Sequence, residues 1–303
     1  MNVSLFYLRL VSPGEWLKCH PPPSTNRISL SLMKMKFLQY TVLPALAFVC
    51  SCAGRAQDAK TTVATLVQHE DAASQHRGHY TYLSQERSDR TGGHLWVEKV
   101  AETNWGKVRY LTAIDGQPLA GDRLAAEKSR LTAEAADPEA FKRAEAARVD
   151  DEQHAKQMLE LLPKAFLFDP PQPEGEYLRI AFKPNPAYSP QSLEERVLHG
   201  MSGSVLVDRE TIRLHGIDGR MPSDVSIGFG LLATIHAGSS FSTVREHLEG
   251  IDWKTKTLHT DINGKALFLK TIARQQDSTH SNFKKISDNI TVADAVTLLE
   301  QGS

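Results

Sequence analysis

The sequence predicts an α+β protein dominated by antiparallel β-structure. Short runs rich in aromatic and β-branched residues recur over residues 79–272, and turn residues such as glycine, proline and asparagine separate them. These runs follow one another through short connections, as in antiparallel hairpins. Helical periodicity occurs in a first segment, in a charged middle segment and at the C-terminus. The pattern therefore favours a β-rich domain with a few helices.

The first 32 residues precede this domain and show neither helical nor strand periodicity. They contain three consecutive prolines, Pro21 to Pro23. We expect residues 1–32 to be a mis-assigned or disordered leader, with translation starting at Met33 or Met35.

Residues 33–56 have the layout of a secretory signal peptide. Lys34 and Lys36 form a basic region, and an apolar run over residues 37–49 is followed by small residues. A membrane-spanning helix needs roughly 20 apolar residues, and this run is shorter. The sequence thus predicts export from the cytoplasm through a cleaved or lipidated signal.

Two cleavage alternatives stay open at the end of this signal. The stretch Val49-Cys50-Ser51-Cys52 resembles a lipobox, in which Cys52 would be acylated and become the first mature residue. Cys50 departs from that pattern, which usually has a small or hydroxylated residue there. Small-residue pairs of an ordinary cleavage site are Ser51 with Ala53 and Gly54 with Ala56. The prediction is a periplasmic protein, anchored to the outer membrane only if Cys52 is acylated.

Composition excludes several function classes for the exported part. No cysteine follows Cys52, which excludes a thiol enzyme and a cysteine-ligated zinc site. Residues 1–51 contain five basic residues and one acidic residue, so their removal leaves 30 basic and 35 acidic residues and a net charge of −5. Without a clustered basic patch, a nucleic-acid partner is not expected.

The first half of the domain combines a helix, a meander and a charged arm. Val63, Leu66 and Val67 have helical spacing and predict a helix over residues 59–75. The predicted meander strands are 79–84, 95–100 and 108–114. Residues 120–162 form an inserted helical arm rich in charge, in which Asp137-Pro138 is a helix start. We interpret its charges as a solvated face, with pairs such as Glu152 and Lys156.

The second half is predicted as successive strands before a last helix. Asn263-Gly264 predicts a tight hairpin turn, and Thr291 predicts the cap of a C-terminal helix. The predicted strands are 177–182, 204–207, 211–217, 225–235, 240–247, 253–261 and 266–272.

The sequence contains no convincing catalytic or cofactor motif. Gly228 to Ala233 fits a relaxed dinucleotide-binding pattern, but it lies within a predicted strand and not between a strand and a helix. Glycines there predict sheet curvature instead. His69, Glu70 and His76 lack the spacing of a zinc-binding helix. We therefore expect no catalytic residue, no metal and no cofactor.

Four segments of the chain carry a family resemblance. They are residues 78–82, the turn 115–119, the stretch 182–188 and the strand 203–208. Together with the export signal, they resemble a group of uncharacterised bacterial envelope proteins, which is distantly similar to the outer-membrane lipoprotein carrier and receptor superfamily (LolA/LolB-like). The resemblance implies that residues 57–303 form one β domain, a curved half-open β-barrel with helices on its concave side around an apolar cavity. No functional residue of the carriers matches a position here.

Two apolar faces are the candidate lining of such a cavity. Because strand side chains alternate between faces, every second residue of each run points the same way. The candidate residues are Leu178, Ile180, Phe182, Ile227, Phe229, Leu231 and Ile235. The predicted function is non-enzymatic binding of a lipid or a lipoprotein acyl chain. The alternatives are a periplasmic sensor or regulatory module that binds an envelope protein, and a hydrolase.

Overall fold

The computed structural model describes residues 46–227, 233–266 and 270–301 of the 303-residue chain. The protein is α+β, with one large antiparallel sheet and several helices, as predicted. The helices are α1 (Leu46–Ser74), α2 (Gly121–Ala136), α3 (Pro138–Ala165), α4 (Leu193–His199) and α5 (Val292–Gln301). No helix of the described ranges is long and apolar enough to span a membrane.

The strands form an open sheet. They are β1 (Tyr80–Ser88), β2 (Trp96–Thr103), β3 (Gly106–Ile114), β4 (Gln117–Pro118), β5 (Phe166–Phe168), β6 (Gln172–Glu174), β7 (Tyr177–Pro184), β8 (Ser202–Asp208), β9 (Leu214–Arg220), β10 (Val225–Ile227), β11 (Ala233–Ile235), β12 (Ser240–His247), β13 (Trp253–Ala266) and β14 (Lys270–Lys285). The order across the sheet is β4-β3-β2-β1-β14-β13-β12-β9-β8-β7-β5, with β6 on β7 and the β10–β11 pair on β13. In the described residues β4 and β5 do not pair with each other, so the sheet is not closed.

Several local predictions are confirmed. Strands β1, β2 and β3 form the expected antiparallel meander. Asp137 caps α3, because its Oδ1 accepts a hydrogen bond from the Ala140 amide at 2.9 Å and Pro138 occupies the first turn. The hydroxyl of Thr291 accepts from the Asp294 amide at 3.1 Å at the start of α5. In both helices, the capping side chain lies three residues before the amide that it caps.

The predicted turn at Asn263-Gly264 is wrong. Both residues lie inside β13, where they pair with Ala273 and Ile272 of β14. Gly264 also lies opposite Ile235 of β11. A Cβ atom at Gly264 would lie 2.5 Å from the carbonyl oxygen of Thr234, so glycine permits a close approach of two backbones here.

The predicted single strand over residues 225–235 is also wrong. Its ends are separate strands, β10 and β11, which pair antiparallel with each other. Residues 228–232 lie outside the described residues, so the interpretation of Gly228 and Gly230 as curvature residues stays a prediction. The strand predicted over 266–272 belongs in part to β14, which continues to Lys285.

The core consists of three apolar clusters. In the first, α1 and the end of α3 pack on strands β5 and β7 to β9. The second joins α3 and α4 to β11, β12 and β13. The third lies between α2, α3, α5 and the meander strands β2 and β3. Helices thus cover both halves of the sheet.

The charged arm is more buried than a solvated face would be. Glu127 accepts a hydrogen bond from the Leu111 amide at 2.8 Å, and Glu145 accepts one from the Lys107 amide at 3.2 Å. Both carboxylates are buried. The interpretation of these charges as purely solvated is therefore wrong, since the arm uses them to dock on β3. Pro163, expected to follow the helix, lies inside α3.

Candidate functional site

The three predicted cavity residues of β7 lie against the helices. Ile180 and Phe182 are 0% and 4% exposed and belong to the first core cluster, which includes residues of α1 and α3. Leu178 is partly buried and packs against the same cluster. At this part of the sheet, helical side chains occupy the space next to the predicted face.

The other four predicted residues lie around the β10–β11 hairpin. Ile235 is fully buried in the second core cluster. Ile227 pairs with Ala233 across the hairpin, and its side chain is outside the described residues, as are Phe229 and Leu231. Ile217 packs against both the first and the second cluster. The predicted lining therefore falls into two neighbouring parts of the core.

Cys52, the predicted acylation site, lies in the α1 segment. Its side chain is outside the described residues, so acylation stays a prediction.

An open cavity of about 260 Å³ lies between α1, α3 and the sheet. We call it the α1–α3 cavity. Its apolar wall includes Val67, Leu159, Ile251 and Trp253. Its remaining lining residues are Glu70, Asp71, Ala73, Ser74, Arg77, Glu152, Gln153, Lys156, Glu160, Arg213 and Arg245.

A second cavity of about 410 Å³ adjoins the first. The two share Ser74, Arg77, Glu152 and Trp253. We call the second one the basic cavity, because its lining has more cationic than anionic side chains. The cations are Arg77, Lys107, Arg109, Arg148 and Lys254, and the anions are Glu102, Glu145 and Glu152.

Buried ion pairs form the wall between the α1–α3 cavity and the sheet. Glu70 of α1 accepts hydrogen bonds from Arg213 Nε at 2.8 Å and from Arg245 Nη1 at 2.7 Å. The Leu214 amide donates to the same carboxylate at 3.0 Å. These bonds attach α1 to the sheet near β9 and to β12.

We call Glu70, Arg213 and Arg245 the buried triad. Its two arginines stabilise the charged form of Glu70. Burial alone would raise the pKa of its carboxyl, but Arg245 and then Arg213 lower that pKa to about 2. Burial lowers the pKa of Arg245, although Glu70 opposes this effect. The Nε atom of Arg245 is buried and has no hydrogen-bond partner in the described part of the chain.

Ion pairs also line the basic cavity. Lys107 Nζ lies 2.9 Å from Glu152 Oε1, and Arg109 Nη1 lies 3.2 Å from Glu145 Oε2. Burial would raise the pKa of Glu152, yet Lys107 holds it well below its usual range. The predicted helical pair Glu152 and Lys156 is replaced by contacts outside α3, since Lys156 ion-pairs with Asp71 of α1.

A further buried ion pair also lines the basic cavity. Lys254 Nζ lies 2.5 Å from Glu102 Oε2 and donates to the Gly78 carbonyl at 3.0 Å. Burial lowers the pKa of Lys254 despite this carboxylate. His280 Nδ1 donates to the Thr255 carbonyl at 2.9 Å, and burial lowers the pKa of His280.

Arg77 lies where the two cavities meet. Its side chain is exposed and lines both. Across the described ranges, it has neither an ion pair nor a hydrogen bond. It is therefore a cation that a ligand can reach without breaking a contact.

The triad was not predicted from the sequence, although the periodic patterns of α1 and β12 each place a charged residue on a buried face. Glu70 follows Val63 and Leu66 on the buried face of α1, and Arg245 follows Phe241 and Thr243 on the buried face of β12. A charged residue at an apolar position of a periodic pattern needs a buried partner. This rule identifies Glu70 and Arg245 as residues that need a buried partner, but only the fold shows that they are each other's partners.

The described residues contain no cluster of three or more histidine, cysteine, aspartate or glutamate side chains that could hold a metal ion. The walls of the two cavities combine apolar residues with both cations and carboxylates. Comparisons with protein-family models, curated protein sequences and solved structures find no match to this chain.

Proposed function

We propose that this protein is a non-enzymatic envelope protein that binds a lipid-like amphiphile between its helices and its sheet. In this proposal, the open sheet is a curved half-barrel, and α1 and α3 lie on its concave side. The proposal keeps the expected ligand class, a lipid or a lipoprotein acyl chain, and assigns no reaction to the protein.

The α1–α3 cavity is the observation that carries the proposal. Its wall combines Val67 and Leu159 from the helices with Ile251 and Trp253 from the sheet side. Binding sites for small molecules usually have volumes of roughly 300–1,000 Å³, mostly apolar walls and a few polar groups. The two adjoining cavities, of about 260 and 410 Å³, together reach this range of volume, and their walls are more polar than those of a usual site.

The proposed position differs from the face first predicted. Ile180 and Phe182 pack against helical residues, which leaves an acyl chain little space beside β7. The α1–α3 cavity lies nearer the start of β13 and includes Ile251 in the turn before it. Ile251 is 49% exposed, so its apolar surface is available to a ligand.

The proposed location is the periplasm. It is supported by the basic and apolar layout of residues 33–56. Acylation of Cys52 would anchor the protein to the outer membrane, whereas cleavage after Ala56 would leave it free. A soluble carrier and an anchored receptor could use the same cavity.

Retention of a fluorescent fatty acid by the full-length chain tests the proposal. We expect the wild type to retain the probe and Ile251→Glu to weaken binding by about tenfold, because a carboxylate beside the apolar tail must lose water. Leu167→Glu is the matched control: Leu167 is 43% exposed on β5 and lines neither cavity.

Thermal unfolding of each variant separates binding from folding. Both substituted side chains are exposed, so both variants should unfold cooperatively at nearly the wild-type temperature. No binding by the wild type would refute the proposed function. Equal binding by the wild type and Ile251→Glu would refute the proposed position.

A further inference from the structure

Three arginines line the α1–α3 cavity, together with Lys156 and the carboxylates of Glu70, Asp71, Glu152 and Glu160. Arg213 and Arg245 are buried, and Arg77 is exposed at the boundary with the basic cavity. We call these three residues the arginine cluster. Among the described residues, Glu70 is the only carboxylate within ion-pairing distance of any of them.

The other carboxylates of this cavity have different positions or partners. Asp71 ion-pairs with Lys156, and Glu152 ion-pairs with Lys107. Glu160 is exposed on α3. The buried part of the cavity wall thus has two guanidinium groups and one carboxylate.

A buried positive charge without a counter-ion is unfavourable. Removing an ion from water costs several kcal/mol unless opposite charge and hydrogen bonds compensate. Here the compensation is incomplete, because Arg245 Nε has no partner within the described ranges. Burial lowers the pKa of Arg245, Glu70 raises it, and the charges of Arg213 and Arg77 lower it further.

We propose that the ligand of this protein carries an anionic group, a carboxylate or a phosphate, which binds to the arginine cluster. This inference rests on the proposed function and specifies the chemistry of its ligand. Guanidinium groups present planar, paired donors that match carboxylate and phosphate oxygens. The anion supplies the negative charge that this wall lacks.

The same cavity accommodates the rest of an anionic amphiphile. Val67, Leu159 and Trp253 form an apolar wall beside the cluster. A ligand with one charged end and one apolar end can therefore contact both surfaces at once. A neutral amphiphile of the same length would use only the apolar wall.

Three eight-carbon ligands test the inference by isothermal titration calorimetry on the full-length protein. Octanoate carries a carboxylate, octyl phosphate carries a phosphate, and octanol is neutral. We expect at least one anionic ligand to bind about tenfold or more tightly than octanol, because it gains charge-assisted hydrogen bonds. The tighter anion identifies which of the two headgroup chemistries the site prefers.

Arg77→Gln identifies the binding position without disturbing the buried triad. We expect it to weaken binding of the anionic ligand about fivefold to tenfold and octanol binding by a smaller factor, so that the ratio of the two affinities falls. Arg123→Gln is the control, because Arg123 is an exposed arginine of α2 that lines neither cavity. It should bind all three ligands as the wild type does.

The outcomes separate this inference from the proposed function. Equal affinity for octanol and both anions would overturn the inference and leave amphiphile binding intact. An anion preference as large in Arg77→Gln as in the wild type would also overturn it, because the anion would then bind elsewhere. No binding of any of the three would refute the proposed function, and the inference with it.

Discussion

Replacement of Glu70 by glutamine measures how much the buried triad stabilises the fold. The Glu70 and Arg213 side chains are each 8% exposed, and that of Arg245 is 5% exposed. Glutamine keeps the size of the side chain but removes its charge. The substitution leaves two buried guanidinium groups without a carboxylate.

The expected loss follows from the pKa of Glu70. Despite burial, the two arginines lower this pKa from 4.5 to about 2. Each pKa unit corresponds to about 1.4 kcal/mol, so ionised Glu70 stabilises the folded state by about 3 kcal/mol. Breaking a buried ion pair typically costs about 3–5 kcal/mol. We expect Glu70→Gln to lower the free energy of unfolding at pH 7 by about 3 kcal/mol.

The loss of unfolding free energy in Glu70→Gln should depend on pH. Because the folded state lowers the pKa of Glu70, its contribution is complete above the unfolded value near 4.5. It disappears as pH falls from there toward about 2. The difference between wild type and Glu70→Gln should therefore shrink over this interval. Urea unfolding at pH 7, 4 and 3 measures it.

Glu174→Gln is the control for this experiment. Glu174 ion-pairs with Arg179 at the surface, and its side chain is 49% exposed. Solvent screens such a pair, so we expect the free energy of unfolding to remain nearly unchanged. A loss below about 1 kcal/mol in Glu70→Gln, or a loss that is the same at every pH, would refute the reasoning.

Three further predictions concern packing, capping and export. Gly203→Ala should lower the free energy of unfolding by about 2 kcal/mol or more, because its Cβ would lie 1.9 Å from the Asp218 carbonyl oxygen; urea unfolding with no measurable loss would contradict this. Thr291→Ala should lower the free energy of unfolding by about 1 kcal/mol, because it removes the acceptor for the Asp294 amide at the start of α5. An unchanged urea midpoint would show that this cap does not stabilise the fold. Cys52→Ala should abolish incorporation of an alkynyl fatty acid in cells, because the sulfur is the proposed acylation site; unchanged labelling would exclude Cys52.

Features encoded by neighbouring residues could be predicted from the sequence. Asp137 and Thr291 cap the helices that they were expected to cap. The strand predicted over 240–247 has the bounds of β12. In each case, the signal and the structure that it specifies lie within a few residues of each other.

Features decided by distant partners could not be predicted in the same way. Asn263-Gly264 has the composition of a turn, yet strands on both sides pair with it. The polar stretch 273–285 forms most of β14 because β1 and β13 supply backbone partners along much of its length. Glu70, Arg213 and Arg245 come from three separate segments of the chain, and only their arrangement in the fold makes them a site.

The position of β14 in the sheet affects the order in which the protein can assemble. Tyr80, at the start of β1, lies opposite Lys285 in β14, so the first strand completes its pairing with a strand that follows β13 in the chain. Contacts between such distant residues raise the contact order of a fold and slow its folding. Until β14 is made, β1 to β4 lack the neighbour that connects them to the other strands. The first four strands therefore stay separated from the rest of the sheet until β14 has been synthesised.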